Sequence, residues 1–408
     1  MDTMVQAVLI WHNMFQMTLD ASDPRFYEER NRPAYLDIHA ADPVYRVDAA
    51  HSTPFWNVCR HDLIRDVGKN VELFTTEHGV HLENSAFQTE ASATQDLINA
   101  LRPANILPAA DHRRVRAPLN PHFRHDVIAR LEDEVRRIVS SLLDEVVVGE
   151  ETDFVRAFAG RVPVQVTAAL LGVSTERESD FAHWSDVILA SFEPGSVPDW
   201  DAIGAMATFF TEELAARRAD PAPGLISDML ATDLADQEIL MWCCILLAAG
   251  VETTGNLIGG GMDLLLRHPE QMARVAGDPA LVRPALSEML RVITPGRYIR
   301  RTATADTEID GHAIMAGDVV AMNFTVANYD PAMFDDPLRF DIDRNPNEAL
   351  AFSYGPHRCI GMSVARLESA IAFEELLARF PNTEARGPVV MRPSTATAVV
   401  ERLPVAFG

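Results

Sequence analysis

Apolar positions recur along this chain at helical spacing far more often than in the strict alternation of a half-buried strand. The strongest segment runs from Gln237 to Arg267, QEILMWCCILLAAGVETTGNLIGGGMDLLLR, and is apolar on all sides. In a globular protein such a helix belongs in the core, so it is predicted to cross the middle of the fold. Helical patterns also fill Asp126 to Arg217, interrupted at Phe192-Glu-Pro-Gly-Ser, a break placed to act as a lid. Asp62 to Phe74 reads as a helix, and Met362 to Leu377 is rich in helix formers. Short strands are predicted within Val44 to Val58, Ile299 to Met322 and Thr395 to Val405. Gly79 to Pro108 reads as a long irregular loop carrying Phe87, Leu101 and Ile106, and loops of that length in compact folds are usually functional. The expectation is a mainly α protein with small β-sheets.

Composition narrows this picture. The chain has 408 residues, 48% of them hydrophobic, enough to bury a large core and a cofactor. No Gly/Ser linker, low-complexity tract or repeat divides it, so one domain over 1–408 is expected, with 1–22 as an N-terminal extension. That extension has a short apolar run broken by His12, Asn13 and Gln16, which reads as neither membrane anchor nor export signal. Cys59, Cys243, Cys244 and Cys359 form no disulfide framework, which fits a reducing cytoplasm. With 35 basic against 59 acidic residues the net charge is −24, which argues against nucleic acid and anionic lipid as partners. The exception is local: Arg113, Arg114, Arg116 and Arg124 cluster between Asp111 and Asp126. His122-x-x-His125 lacks the further ligands of a closed metal site, and Gly259-Gly260-Gly261 fits neither the dinucleotide nor the P-loop spacing.

Two motifs carry chemistry, and a third, Glu288 to Arg291, is read as structural. FSYGPHRCIG, Phe352 to Gly361, sets one cysteine in a glycine-containing turn just ahead of a helix N-terminus. The dipole and free N–H groups there favour a thiolate, and the two glycines are expected to allow close backbone approach to a flat group. A thiolate-bound haem iron favours O–O cleavage. In the long helix, AGVETT inserts Glu252 and Thr253 directly after small Ala249 and Gly250, and buried polar groups need a partner or a purpose. Splitting dioxygen consumes two protons, so an alcohol and an acid there form a sensible pair. Glu288-Met-Leu-Arg291 places opposite charges on one helix face.

Together these motifs resemble the cytochrome P-450 family over essentially Asp23 to Phe407. The resemblance implies a triangular, single-body fold with haem b between the long central helix and the Cys-ligand loop and helix. It implies that Cys359 ligates the iron, with Phe352 and Gly361 in its loop, Thr253 ordering the oxygen complex and Glu252 delivering protons. His112, Arg116, Arg301 and His357 then match the family's propionate partners. Glu288 and Arg291 match its Glu-x-x-Arg pair, with Arg339 the expected third member. Ile245, Ala248, Ala249, Ile293, Thr294 and Val399 are expected to wall a pocket with few polar handles, next to which Arg297 either receives a substrate carboxylate or faces away. The implied reaction is a monooxygenation: one oxygen atom of O2 enters a C–H bond of a small-to-medium apolar substrate such as a terpenoid, steroid, fatty or alicyclic compound. Electrons are expected from an iron–sulfur ferredoxin with its reductase, docked on the basic patch, and a cytoplasmic monomer is expected. Two rivals remain. A peroxide-using haem-thiolate enzyme discards the acid and alcohol present here, and a haem sensor needs a signalling domain that the sequence does not display.

Overall fold

The structure, a computed structural model, describes residues 20–49, 52–82, 104–193 and 196–408. The N-terminal apolar run, Phe87 and Leu101 of the long loop, and Pro194-Gly195 of the interhelical break lie outside these residues.

Helices dominate, as the periodicity predicts. They are α1 (Pro33–Ala41), α2 (His61–Lys69), α3 (Ala109–Arg116), α4 (Glu132–Asp144), α5 (Arg161–Leu171), α6 (Glu178–Ala190), α7 (Trp200–Ala219), α8 (Leu225–Leu230), α9 (Asp236–Arg267), α10 (Pro269–Gly277), α11 (Val282–Ile293) and α12 (Met362–Arg379). The strands are short. Val44–Val47 (β1), Phe55–Val58 (β2) and Phe74–Thr75 (β3) join Tyr298–Ala303 (β5) and Val319–Asn323 (β8) in one sheet of order β1-β2-β8-β5-β3. Glu151–Asp153 (β4), Pro404–Ala406 (β12) and Glu384–Ala385 (β9) form a second sheet. Thr307–Ile309 (β6) with His312–Ile314 (β7), and Val390–Arg392 (β10) with Val399–Arg402 (β11), are hairpins. β2 pairs with β8 in parallel, Phe55 opposite Val319, so the N-terminal and C-terminal parts of the chain share one ladder. Buried Asn323 fixes that seam by donating from Nδ2 to Asn57 Oδ1 at 3.3 Å.

Helix α9 is the axis of the main core and packs on α5, α6, α11 and α12. Its glycines explain how so many elements approach it. A Cβ at Gly261 would lie 2.8 Å from both Met289 Sδ and Phe373 Cζ, one at Gly260 3.1 Å from Ile293 Cδ1, and one at Gly255 3.3 Å from the Ala159 carbonyl. The glycine run is a packing surface for α11 and α12, and alanine at 261 is an overpacking change that costs about 1–3 kcal/mol.

The scaffold before the cysteine loop is held by an ionic network, and here the expected third member is corrected. Glu288 and Arg291 are fully buried and paired at 2.7 Å. The second guanidinium on Glu288 belongs to Arg344, whose Nε lies 3.1 Å from Oε2 and whose side chain is 9% exposed. Arg339 points to solvent, 64% exposed, and pairs with Asp341. Only its backbone carbonyl joins the network, accepting from Arg291 Nη2 and Arg344 Nη2, both at 3.1 Å. Asn347 Nδ2 and the Asp341 N–H complete the set of donors on Glu288.

Candidate active site

The cysteine loop closes on itself: the Cys359 N–H donates to the Phe352 carbonyl at 2.9 Å across a 3-10 turn at Gly355–His357. Gly355 has φ +81°, and a Cβ there would sit 2.1 Å from the Gly68 carbonyl. The loop rides directly on α2, and that contact alone requires glycine at this position. Gly361 has an ordinary φ of −77°, and a Cβ there would meet Cys359 Sγ at 3.9 Å, so protein atoms alone leave room for a small side chain. The Cys359 thiol is open on one side. Among the protein groups alone, burial pushes its pKa up, opposed by the N–H groups of Gly361 and Met362 and by Arg116 and Arg358. A metal ion bound here would hold the sulfur as a thiolate, since a coordinating thiol is deprotonated outright.

Donors converge beside this thiol. The rings of His112 (α3) and His357 (cysteine loop) stack at 3.9 Å. Burial, aided by the charges of Arg116 and Arg301, lowers the His112 pKa to about 4. Burial and the same cations push His357 down to about 2, so both rings are neutral. Arg116 Nη2 donates to the Arg358 carbonyl at 2.5 Å, tying α3 to the loop. Arg301 is 1% exposed, donates from Nη1 to the Arg300 carbonyl, and has its pKa lowered by burial to about 10. Among the described residues, His112 Nδ1 and Arg301 Nε and Nη2 are buried with no hydrogen-bond partner. Orphaned donors of this kind are costly. Two carboxylates arriving beside an open thiol would satisfy them, so the residues fit a haem with its propionates.

The middle of buried α9 carries an open stripe. Ala249 is exposed and Ile245 and Thr253 half-buried, at i, i+4, i+8 spacing, and an exposed alanine inside a core helix marks a void. The Thr253 hydroxyl donates to the Ala249 carbonyl at 2.7 Å, the back-bonding open to an in-helix threonine. Glu252 points elsewhere. Its Oε1 accepts from Thr397 Oγ1 at 3.0 Å and its Oε2 from Arg392 Nη2 at 3.3 Å. Burial raises its pKa to about 7, against the pull of Arg392 and with the push of Asp186.

Several expected wall residues take other positions. Ala248 is buried, turned one step off the open stripe, and its carbonyl accepts from Ser185 Oγ on α6. Thr294 caps α11 in the left-handed conformation, φ +48°; its hydroxyl donates to the Arg291 carbonyl and accepts from Asn328 Nδ2, so it is a scaffold residue. Ile293 packs on Gly260 and lines a separate cavity of about 360 Å³ at the far end of α9. Ala398 and Val400 line that cavity too, whereas Val399 points to the opposite face of β11. Arg297 borders the same cavity, donates to the Ser394 carbonyl and lies 4.5 Å above the Tyr27 ring.

Three contributors escaped the sequence reading. Arg392 and Thr397 reach Glu252 from about 140 residues away, and no local pattern reports that. Glu368 on α12 is buried beside Thr254, with Oε2 unpartnered among the described residues and its pKa raised by burial to about 8. Its signal was present: it shares a helix face with Val364, Ile371 and Ala372, where a charged residue is out of place.

An exposed thiol in a glycine-containing turn, buried donors without partners, and an alcohol and an acid on α9 are the chemical groups of this region. The cytochrome P450 family model matches residues 280–401. The chain is 33% identical to a steroid C26-monooxygenase of Mycobacterium tuberculosis over 95% of its own length and 97% of that protein. It is 31% identical to a vitamin D(3) 25-hydroxylase of Pseudonocardia autotrophica, over 92% and 93% of the two chains. Among solved structures, CYP109E1 from Bacillus megaterium in complex with testosterone superposes with a TM-score of 0.82 at 26% identity, covering 93% of this chain and all of the other. The chain belongs to the cytochrome P450 family, and it is an oxidoreductase, a haem b-dependent monooxygenase that uses O2.

Proposed function

We propose that this enzyme hydroxylates an unactivated C–H bond of a largely apolar molecule of steroid, secosteroid or terpenoid size, with electrons from an iron–sulfur ferredoxin and its reductase in the cytoplasm. The observation that carries the proposal is the open Ile245–Ala249–Thr253 stripe on otherwise buried α9: a wall with one hydroxyl and otherwise aliphatic surface selects shape and apolarity. The activities for which the two relatives are named, on a steroid and on vitamin D(3), support the same class.

In this reading Cys359 binds the iron, His112, Arg116, Arg301 and His357 hold the propionates, and Phe352, Gly361 and Ala249 border the macrocycle. Bound through sulfur, haem supplies the activation of dioxygen. The protein's own task is positioning and proton supply. Thr253 presents a hydroxyl at the open stripe, already turned by its bond to Ala249. Glu252, with a pKa near 7, holds a proton at neutral pH and releases it at small cost, which is what a general acid needs. Ile245 and the small Ala249 leave room for the substrate and exclude water. For the redox partner, exposed Arg113 and Arg358 supply positive charge on an otherwise acidic protein, while Arg114 and Arg124 are already paired with Glu238 and Asp126.

The test is a panel of steroids, terpenes and fatty acids titrated against the haem-loaded protein, read as the spin-state shift in its absorption. Steroid- or terpene-like ligands are expected to give the shift at micromolar concentration. A response confined to polar or aromatic ligands overturns the substrate class. Cys359→Ala is expected to abolish the thiolate-type absorption of the reduced carbon monoxide complex.

A further inference from the structure

Phe192 and Glu193, just past the end of α6, dock onto two other elements. The Phe192 ring stacks on that of His81, centroids 4.0 Å apart at 13°. The Glu193 carboxylate takes four donors from the turn between β10 and β11: Ser394 Oγ, the N–H and Oγ1 of Thr395, both at 2.8 Å, and the Ala396 N–H at 3.2 Å. The same turn continues to the acid on α9. Ser394 Oγ accepts the Thr397 N–H at 3.0 Å and lies 3.4 Å from Thr397 Oγ1, which donates to Glu252 at 3.0 Å. At the base of the hairpin, Arg392 holds the other oxygen of Glu252. One short turn thus bridges the segment after α6 and the acid beside the open stripe.

We propose that Glu193, Ser394 and Thr397 are positioning residues through which the seating of the 192–193 segment governs how firmly Thr397 holds Glu252. The inference rests on the reading of Glu252 as the proton source and adds what controls it. The groups facing Glu252 are Arg392 from β10, Thr397 from the turn, Asp186 from α6 and Asn256 from its own helix. Thr397 donates to the carboxylate, so its bond favours the charged form and eases proton release. When the segment lifts, the turn loses the four bonds that fix Ser394 to Ala396, and the Thr397 hydroxyl loses its anchored backbone. Glu252 then keeps its proton more tightly. The acid is ready to release only when the segment is seated over the site, which limits proton leakage from an open pocket. Linkage makes the effect mutual: weakening the bond at Glu252 must loosen the segment by the same factor.

The test uses the haem-loaded protein and two readouts. The protonation midpoint of Glu252 is followed by the infrared carboxyl band that disappears in Glu252→Gln, and the seating of residues 189–193 by amide hydrogen exchange. Thr397→Val is expected to raise the midpoint by about 1 pH unit, the lower end of the worth of one hydrogen bond to a charged group, and to speed exchange of the segment about tenfold. Glu193→Gln and the milder Ser394→Ala are expected to move both readouts in the same directions. Faster exchange in Glu193→Gln with an unchanged Glu252 midpoint overturns the coupling and leaves only a docked segment. Failure of the underlying reading looks different: the pH dependence of product formed per electron survives in Glu252→Gln, while the infrared midpoint still decides the coupling.

Discussion

Two buried glutamates on neighbouring helices are treated in opposite ways. Glu288 on α11 meets two guanidiniums, an amide and a backbone N–H, all within 3.2 Å, and its own side chain and that of Arg291 are fully buried. Glu252 on α9 meets one hydroxyl, the Asn256 amide and a single partly exposed arginine at 3.3 Å, with Asp186 pushing against its charge. Burial alone does not decide what an acid does. A carboxylate saturated with donors and cations is fixed as a structural charge, whereas one given about half of that support titrates near neutrality and is free to exchange its proton. The first arrangement belongs where the chain must be pinned ahead of the cysteine loop, the second, in the reading proposed above, where protons are consumed.

The largest effect expected is at the pinned site. Glu288→Ala leaves Arg291 buried without its counter-charge and is expected to cost about 3–5 kcal/mol, or to prevent haem incorporation altogether. Arg344→Ala is expected to be nearly as damaging, while Arg339→Ala, which removes an exposed side chain, stays within about 0.5 kcal/mol of the parent. Urea midpoints of the haem-loaded proteins check the order. Equal losses for the two arginines would show that the segment from Asp335 to Arg344, not its bonds to Glu288, holds the loop.

At the poised site the effect is on chemistry. Glu252→Gln is expected to lower turnover by about 10²-fold with the fold and haem spectrum retained. The pH profile carries the sign. Glu252 has a raised pKa of about 7, so its protonated fraction falls as pH rises through 7, and product per electron in the parent is expected to fall with it. In Glu252→Gln that limb should vanish. Thr253→Ala is expected to act more mildly, keeping the rate of electron consumption while several-fold more of it appears as peroxide, measured as the ratio of peroxide to product.

How much of this was legible in the sequence depends on the range of the interaction. The cysteine turn, the Glu288–Arg291 pair and the Glu252–Thr253 step are contiguous or i, i+3 patterns, and local spacing reports them directly. Helix α9 was equally plain, because a helix apolar on all faces has one place to go. What failed was non-local. Arg344 rather than Arg339 reaches Glu288 because the chain between them is folded by carbonyls of Asp335, Asp336 and Arg339, which no periodicity encodes. Gly355 owes its identity to Gly68, far away in the chain. Thr294 reads as a pocket residue until its left-handed φ and its bond from Asn328 turn it inward. Pocket walls depend on which way a side chain faces after packing, and one residue along a helix, Ala248 against Ala249, separates core from void.

Glu368 sharpens the comparison with the smallest expected effect. It has less support than either acid above, one threonine and an unpartnered oxygen, and burial raises its pKa from 4.5 to about 8. It is therefore a neutral carboxyl at pH 6, and Glu368→Gln, a neutral near-isostere, is expected to change stability there by less than about 1 kcal/mol. The difference should emerge with pH. An acid whose folded pKa is raised binds more protons in the native than in the unfolded chain between 4.5 and about 8, so the parent loses stability as pH rises through that window. The glutamine variant lacks that loss, and urea midpoints measured from pH 5 to pH 9 are expected to converge at the acid end and favour the variant at the basic end. Parallel curves would mean that Glu368 is charged in the folded protein, held by donors beyond Thr254, and so belongs with Glu288 rather than at the neutral extreme.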